Sequence, residues 1–339
     1  MNILNSILVT GGAGFIGSTF VAQAVARGKH VIVLDALTYA GSESNLSWID
    51  SKYWKLVVGD INDQALVAKL LVDYDVDALV NFAAESHVDN SISGPSAFMN
   101  TNISGTFSLL EAARAYAKDK PHFRFLQVST DEVYGSLGAT GKFSENSKYQ
   151  PNSPYSASKA AADHLVRAWF ETYGLFAITT HCTNNYGPRQ HPEKLIPRMI
   201  HCALSGEDLP VYGDGKNVRD WIHVEDHVNG VWLALSQGEA GGIYDFGGDA
   251  EVENIVLVRD VCAILDGLRP KEKGSYAEQI AFVTDRLGHD KRYAIDDSKA
   301  QHKLGFTRNY TFTQGLRKTI EWYLENQDWC TEMVRKKAT

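Results

Sequence analysis

Two periods of apolar and polar residues alternate along the first half of the chain. Short apolar runs, SILVT, HVIVLD, WKLVVGD, ALVNFAA and FRFLQVS, have the length and β-branched or aromatic content of buried strands. Between them lie stretches whose apolar residues recur three and four positions apart: about Ile16 to Arg27, DQALVAKLLVDY, NTNISGTFSLLEAARAYAKD, and about Ser156 to Tyr173, which leads into a further strand, FAITTH. Strand and helix in regular succession predict a parallel sheet covered on both faces. After about His181 the pattern breaks into shorter elements separated by turns rich in Gly, Pro and Asn, NNYGPRQHPEK and VYGDGKNVRD. The expected architecture is α/β: a doubly wound parallel sheet over residues 1–181 and a smaller C-terminal α/β domain over 182–339. Segments near 225–248, GIYDFGG among them, are expected to return to the first sheet. No internal repeat or low-complexity tract interrupts this plan, and the tail VRKKAT is expected to fray.

Length and charge narrow the picture. A chain of 339 residues is long for one core, which favours two domains. With 44% hydrophobic and 22% charged residues it is an ordinary globular composition. The formal net charge of -8 argues against nucleic acid or an anionic membrane as the main partner, while leaving room for a local basic pocket. Cys182, Cys202, Cys262 and Cys330 are far apart, form neither a CxxC pair nor a Cys/His cluster with metal spacing, and read as buried thiols in a reducing compartment. No metal site is expected. The opening MNILNSILVTGGAG lacks the regions of a signal peptide, and no apolar stretch has the length to cross a bilayer, so the expected location is cytoplasmic.

Candidate chemistry begins at VTGGAGFIG, where Gly11, Gly14 and Gly17 stand three apart between a predicted strand and a predicted helix. Glycines there allow a tight turn, close approach of backbone to a pyrophosphate, and close helix–strand packing. The helix start supplies N–H donors and a positive dipole end. Asp35 closes the next strand, HVIVLD, where its carboxylate can accept both hydroxyls of a ribose and would repel the extra phosphate of NADP. This Rossmann-type arrangement points to NAD. Asp60, ending WKLVVGD, is placed to reach the adenine or, equally, to form a turn before IND. The expected cofactor wall is completed by Phe15, Ile16, Thr38, Ile61 and Ala83.

Two further stretches carry reactive groups. In SPYSASK, Tyr155 and Lys159 stand four apart at a helix start and share a face. A phenol with a reference pKa of about 10 is a poor base at neutral pH, and a neighbouring ammonium favours its phenolate. In QVSTDEVY, Asp131 and Glu132 follow the hydroxyls of Ser129 and Thr130 where an apolar strand ends. Taken alone the pair reads as a helix cap; at the C-terminal edge of an open sheet it also sits where ligands bind.

With these motifs together, the chain resembles the short-chain dehydrogenase/reductase superfamily in its extended, nucleotide-sugar-modifying form. Within it the chain resembles the dTDP-glucose 4,6-dehydratase family, through STDEVYG, LTYAG, AAESHVD, TNISGT, NNYGPRQHPEKLIPR, GDGKNVRDWIHVEDH and GHDKRYAID. The resemblance implies a cycle in which Tyr155 takes the proton of the sugar 4-hydroxyl while NAD takes the C4 hydride. Glu132 then removes the C5 proton, Asp131 protonates the leaving 6-hydroxyl, and the hydride returns to C6. It further implies that Thr130 polarises the 4-oxygen and that Lys159 also holds the nicotinamide ribose. Glu85 and Asn184 become sugar or diphosphate contacts; Lys194, Arg219, Asn254 and His289 become nucleotide-diphosphate contacts.

Other readings of these residues are plain. Glu85 and Asn184 suit turns and caps, and a single Lys194 suits a solvated surface. Arg219 is better supported, since a guanidinium pairs bidentately with phosphate. His87 is placed among the substrate contacts, yet with His223 it equally reads as a hydrogen-bonded structural histidine. Leu287 in DRLGHD stands where the family pattern has proline, which leaves that loop less constrained. A homodimer through the helices around 100–117 and 156–173 is also implied. The alternatives are a UDP- or CDP-glucose dehydratase, a nucleotide-sugar 4-epimerase that lacks the elimination, and a non-catalytic NAD-binding protein on the same fold. The acid pair argues against the last two.

Overall fold

The computed structural model of the chain describes residues 4–337. Its strands are β1 (Ser6–Thr10), β2 (His30–Asp35), β3 (Trp54–Val58), β4 (Ala78–Asn81), β5 (Arg124–Val128), β6 (Ala177–Cys182), β7 (Asn184–Tyr186), β8 (Leu209–Tyr212), β9 (Val218–His223), β10 (Ile243–Phe246), β11 (Glu251–Glu253) and β12 (Ile280–Val283). Seven of them form one sheet in the order β10-β6-β5-β4-β1-β2-β3, every neighbouring pair parallel. Strand order reverses at β1, which has β2 on one side and β4 on the other. That is where an open α/β sheet leaves a crevice beyond its C-terminal strand ends.

The continuous apolar runs divide by period two into two cores. Ile7 and Val9, Val31 and Val33, Ala78 and Val80, and Leu126 and Val128 face helices Phe15–Ala26 and Val224–Gln237. Leu8, Ile32, Leu34, Leu79 and Phe125 face helices Gln64–Asp73, Thr106–Ala117 and Pro154–Tyr173. Each fully buried Val, Leu or Ile side chain stabilises by roughly 1.5–3 kcal/mol, and burial on both faces is why these strands carry no polar alternation. A further core lies among helices Leu195–Ser205, Asn254–Leu268 and Phe312–Glu325, beside the small sheets β11-β9-β7 and β12-β8. Strand β10, within the run GIYDFGG, adds to the edge of the large sheet beside β6.

Two elements differ from the expected pattern. The helix expected over 100–119 opens as a π-helix, Met99–Gly105, and becomes α-helical only at Thr106. The wider turn carries the buried Asn102. Its Oδ1 accepts from the Glu85 N–H (2.9 Å), and its Nδ2 donates to the Glu85 carbonyl (3.0 Å) and Ser158 Oγ (2.8 Å). The tail expected to fray is helical as far as Lys337, within helix Gln327–Lys337; the last two residues lie outside the described residues. No helix among the described residues is long and apolar enough to cross a membrane.

Candidate active site

At the end of β1 the chain turns through Gly11, whose φ of 67° lies in the left-handed region. A Cβ there would stand 2.6 Å from Ala83 N, so only glycine lets the turn pass the end of β4. At Gly17 a Cβ would stand 2.2 Å from the Gly11 carbonyl, so the helix Phe15–Ala26 starts directly against the loop. Gly14 is its N-cap and offers no side-chain cap, which leaves the first-turn N–H groups available to an anion. Gly11, Gly14, Phe15, Ile16 and Gly17 form one end of a cleft of about 350 Å³, with Asp35, Thr38, Asp60, Ile61 and Ala83.

Asp35 is buried at the end of β2. Its Oδ2 accepts from Ala13 N and its Oδ1 from Leu37 N, both at 2.9 Å. Burial raises its pKa, against the pull of those two N–H groups and of Lys336. The carboxylate is therefore not devoted to a ribose alone: it braces the glycine loop and presents its remaining lone pairs to the cleft. Asp60 forms the turn weighed for it, its Oδ1 accepting from Asn62 N (2.8 Å) and Nδ2 (3.0 Å), and the residue also lines the cleft. A dinucleotide fits this end, because the open helix start, the glycine cradle and the braced carboxylate line it together.

Beyond β5, Thr130 is the N-cap of a short 3₁₀ turn, Asp131–Tyr134, and its Oγ1 accepts from Glu132 N at 3.4 Å. The cap is thus the threonine, and both acids line the cleft. Asp131 is buried, and its Oδ2 has no hydrogen-bond partner among the described residues. Burial first, then Glu132 and Asp220, hold its pKa well above the ordinary carboxylate range. Burial also raises Glu132, but Arg286, Arg219 and Lys194 oppose the rise. Both adjacent acids are thus raised, Asp131 well above its ordinary range and Glu132 against the pull of three cations.

Helix Pro154–Tyr173 begins with a reciprocal Ser153–Ser156 capping box and Pro154 in its first turn, which fixes Tyr155 at the cleft. The Tyr155 phenol pairs with Thr130, yet burial and then Glu132 hold its pKa well above 10. Lys159 is buried, donates to the Val128 carbonyl at 2.7 Å, and is lowered by that burial. Burial is the largest influence on the Tyr155 phenol, ahead of any neighbouring charge.

The substrate candidates divide. Glu85, Asn184 and Lys194 line the cleft; Arg219, Asn254, His289 and His87 do not. Lys194 is half-buried and donates to the Ser86 carbonyl at 3.0 Å, so the solvated-surface reading does not hold. Burial raises Glu85, as does Glu193. His87 accepts from Asn90 N at 3.4 Å as a helix cap and stands 3.6 Å from Glu193, the structural role weighed for it. Arg219 is buried, donates to the carbonyls of Val218 (2.8 Å) and Asp290 (2.9 Å), lies over the Tyr293 ring, and acts electrostatically on both acids. Asn254 opens its helix with a buried Oδ1 that has no partner among the described residues. His289 is 2.7 Å from Asp285, in the loop whose tip is Leu287, 79% exposed. Sequence reasoning missed Cys182, Gln190, His191 and Glu193 as cleft residues. The quoted run NNYGPRQHPEK contains the last three, and its Gly/Pro content marked a loop without showing that the loop folds inward.

The family model described as GDP-mannose 4,6 dehydratase matches residues 8–319. A dTDP-glucose 4,6-dehydratase of Xanthomonas campestris pv. campestris (strain B100) is 58% identical over 329 residues, spanning 95% of this chain and 94% of its own. DesIV, a dTDP-glucose 4,6-dehydratase from Streptomyces venezuelae crystallised with NAD bound, has a TM-score of 0.89 at 47% identity, covering 97% of this chain and 99% of its own. A UDP-glucose 4-epimerase of Thermotoga maritima, solved with UDP-glucose, has a TM-score of 0.84 at 27% identity, covering 95% and 99%.

Proposed function

The chain belongs to the GDP-mannose 4,6-dehydratase family, and we propose that it catalyses the NAD-dependent dehydration of dTDP-glucose to dTDP-4-keto-6-deoxyglucose, as a hydro-lyase. The observation that carries this reading is the acid pair: two adjacent carboxyls lining one cleft beside Tyr155 and Lys159, Asp131 raised well above the ordinary carboxylate range and Glu132 raised against the pull of three cations. General acid–base elimination needs that pairing, and a 4-epimerase has no use for it.

Tyr155 takes the proton of the 4-hydroxyl, with Thr130 oriented on the same oxygen. Bound in its oxidised form, NAD supplies the hydride acceptor for C4, the later donor to C6, and a positive ring that favours the Tyr155 phenolate against its burial. Lys159 anchors to Val128 and presents its ammonium to the cofactor ribose. Once C4 is a ketone, the C5 proton is acidic and Glu132 removes it. Asp131 gives its proton to the 6-hydroxyl, which departs as water. Glu132 returns the proton to C5, and the proton gained by Tyr155 replaces, through solvent, the one that Asp131 gave up. Glu85 and Asn184 hold the sugar and its diphosphate side. Lys194, Arg219, Asn254 and His289 serve the nucleotide diphosphate, which requires Arg219 to be met beyond the cleft wall. His87 supports that wall through Glu193.

Residues 1–181 with β10 hold the cofactor, and residues 182–339 mainly hold the nucleotide sugar. The enzyme works in the cytoplasm as a homodimer through helices Thr106–Ala117 and Pro154–Tyr173. Support for the dimer is the aromatic row of Phe107, Trp169 and Tyr173, with Phe107 46% and Tyr173 51% exposed.

Incubation with NAD and each of dTDP-, UDP- and CDP-glucose tests the reading. The 4-keto-6-deoxy product is expected from dTDP-glucose in preference to the others, with NADP a poor replacement for NAD. Absence of keto product from all three would sink it, and a 4-epimer in its place would assign the chain to the epimerases.

A further inference from the structure

Behind the acid turn lies a buried charged cluster that the steps above do not use. His181 of β6 is fully buried, with Nδ1 2.9 Å from Asp245 Oδ1 on β10 and Nε2 3.2 Å from Asp163 Oδ2 on helix Pro154–Tyr173. Burial alone would lower this histidine, but hydrogen bonds to Asp163 and Asp245 push it up to about 10. Both ends of the acid turn are tied to this cluster. Ser129, just before the turn, donates to Asp163 Oδ2 at 2.7 Å. Tyr134, the last residue of the turn, donates to Asp245 at 3.1 and 3.2 Å and lies 3.0 Å from His181 Nδ1. Tyr149 closes the cluster, 2.9 Å from His181 Nε2 and 3.2 Å from Asp163.

Helical spacing explains why Asp163 is within reach. Tyr155, Lys159 and Asp163 are each four apart and share one face. Against that face stand three successive residues: Val128 accepts from Lys159, Ser129 donates to Asp163, and Thr130 pairs with Tyr155. Oxidation at C4 calls on Thr130, Tyr155 and Lys159; the Lys159–Val128 bond ties these directly to the strand end, and Asp163 acts on Lys159 only through its charge. Elimination calls on Asp131 and Glu132, which lie between the two tied ends. Asp163 Oδ1 alone of the cluster's carboxylate and imidazole atoms has no partner among the described residues, and a buried charged cluster held by this many contacts is costly to disarrange, which suits it to hold geometry.

We propose that Asp163, His181 and Asp245 form a clamp that positions the acid turn, so that Asp131 reaches the 6-hydroxyl and Glu132 the C5 hydrogen. These three, with Ser129 and Tyr134 as the ties, are positioning residues for the elimination half of the cycle. The proposal rests on the dehydratase reading.

Ser129→Ala and Tyr134→Phe each remove one tie without stranding a charge, and His181→Gln removes the centre of the clamp. Single-turnover mixing of each NAD-loaded variant with dTDP-glucose separates the steps: reduced-nicotinamide absorbance follows oxidation, while chemical quench follows loss of water. Each tie variant should oxidise C4 within about twofold of the parent rate and lose water roughly tenfold more slowly, since misplacement on the ångström scale costs up to about a hundredfold. The reduced signal should therefore accumulate. Unchanged water loss, or equal slowing of both steps, would overturn the clamp. If His181→Gln does not fold, the two tie variants decide. The parent enzyme is run alongside: no keto product from it would remove the dehydratase reading and the clamp's role with it, whereas normal parent turnover with no split in the variants would remove the clamp alone.

Discussion

Asp131 and Glu132 differ by one methylene and one position, yet the residues around them assign them different work. Asp131 is buried next to Glu132 and Asp220, both of which oppose its charge; Glu132 has three cations nearby. Replacing the base, Glu132→Gln, should leave C4 oxidation intact and stall the cycle before water loss, leaving the reduced-nicotinamide absorbance standing. Asp131→Asn should slow water loss while still allowing solvent exchange at C5. Tyr155→Phe should prevent the absorbance from appearing at all. Losses of about two to four decades in turnover are expected for each, the usual worth of a general acid or base. Near-normal turnover in both acid variants would reduce the pair to a cap.

Among the elements, helix Gln327–Lys337 is far from the reacting groups and still connects to the cofactor loop. Trp329 Nε1 donates to Asn45 Oδ1 at 3.0 Å, Asn45 Nδ2 donates to the Ala13 carbonyl at 2.8 Å, and Ala13 N donates to Asp35. Lys336 donates to the Gly41 carbonyl on the same loop. The helix thereby steadies the stretch from Asp35 to Asn45, which walls one end of the cleft. Trp329→Phe keeps an aromatic ring against Trp322 and Tyr323 and deletes the indole N–H. One hydrogen bond is worth about 0.5–1.5 kcal/mol, so NAD should bind roughly twofold to tenfold more weakly, as followed by titration calorimetry or displacement. Unaltered NAD affinity would confine this helix to a packing role.

For the whole molecule, two properties follow from the packing of the long helices and from the buried histidine. The exposed aromatic row on Thr106–Ala117 and Pro154–Tyr173 should be covered by a second copy, giving twice the chain mass in solution at micromolar concentration; a monomeric mass would count against the dimer. His181 has a folded-state pKa of about 10 against a reference of 6.5. Its raised value means that its contribution to stability is complete below about pH 6.5, declines above it, and is gone once pH passes 10. Unfolding midpoints measured from pH 6 to 10 should therefore fall more steeply for the parent protein than for His181→Gln, and parallel curves would show that the histidine is not charged in the fold.

Much of this protein is legible in the order of its residues, because the relevant physics is local. Strand runs such as HVIVLD, the three-residue spacing of Gly11, Gly14 and Gly17, the i,i+4 pair Tyr155 and Lys159, and an acid pair at a strand end each follow from backbone geometry over a few positions. What stayed hidden depends on which distant segments meet. The charges acting on Asp131 and Glu132 come from distant Asp220, Arg219 and Arg286, and Lys194 is half-buried because its loop folds inward over Ser86. The same holds for Tyr155, pushed up by desolvation where sequence spacing promised activation, and for His181, which reads as one more strand residue until Asp163 and Asp245 close on it. Charge in a protein interior depends on distance and dielectric within a few ångströms, and only the tertiary structure decides those.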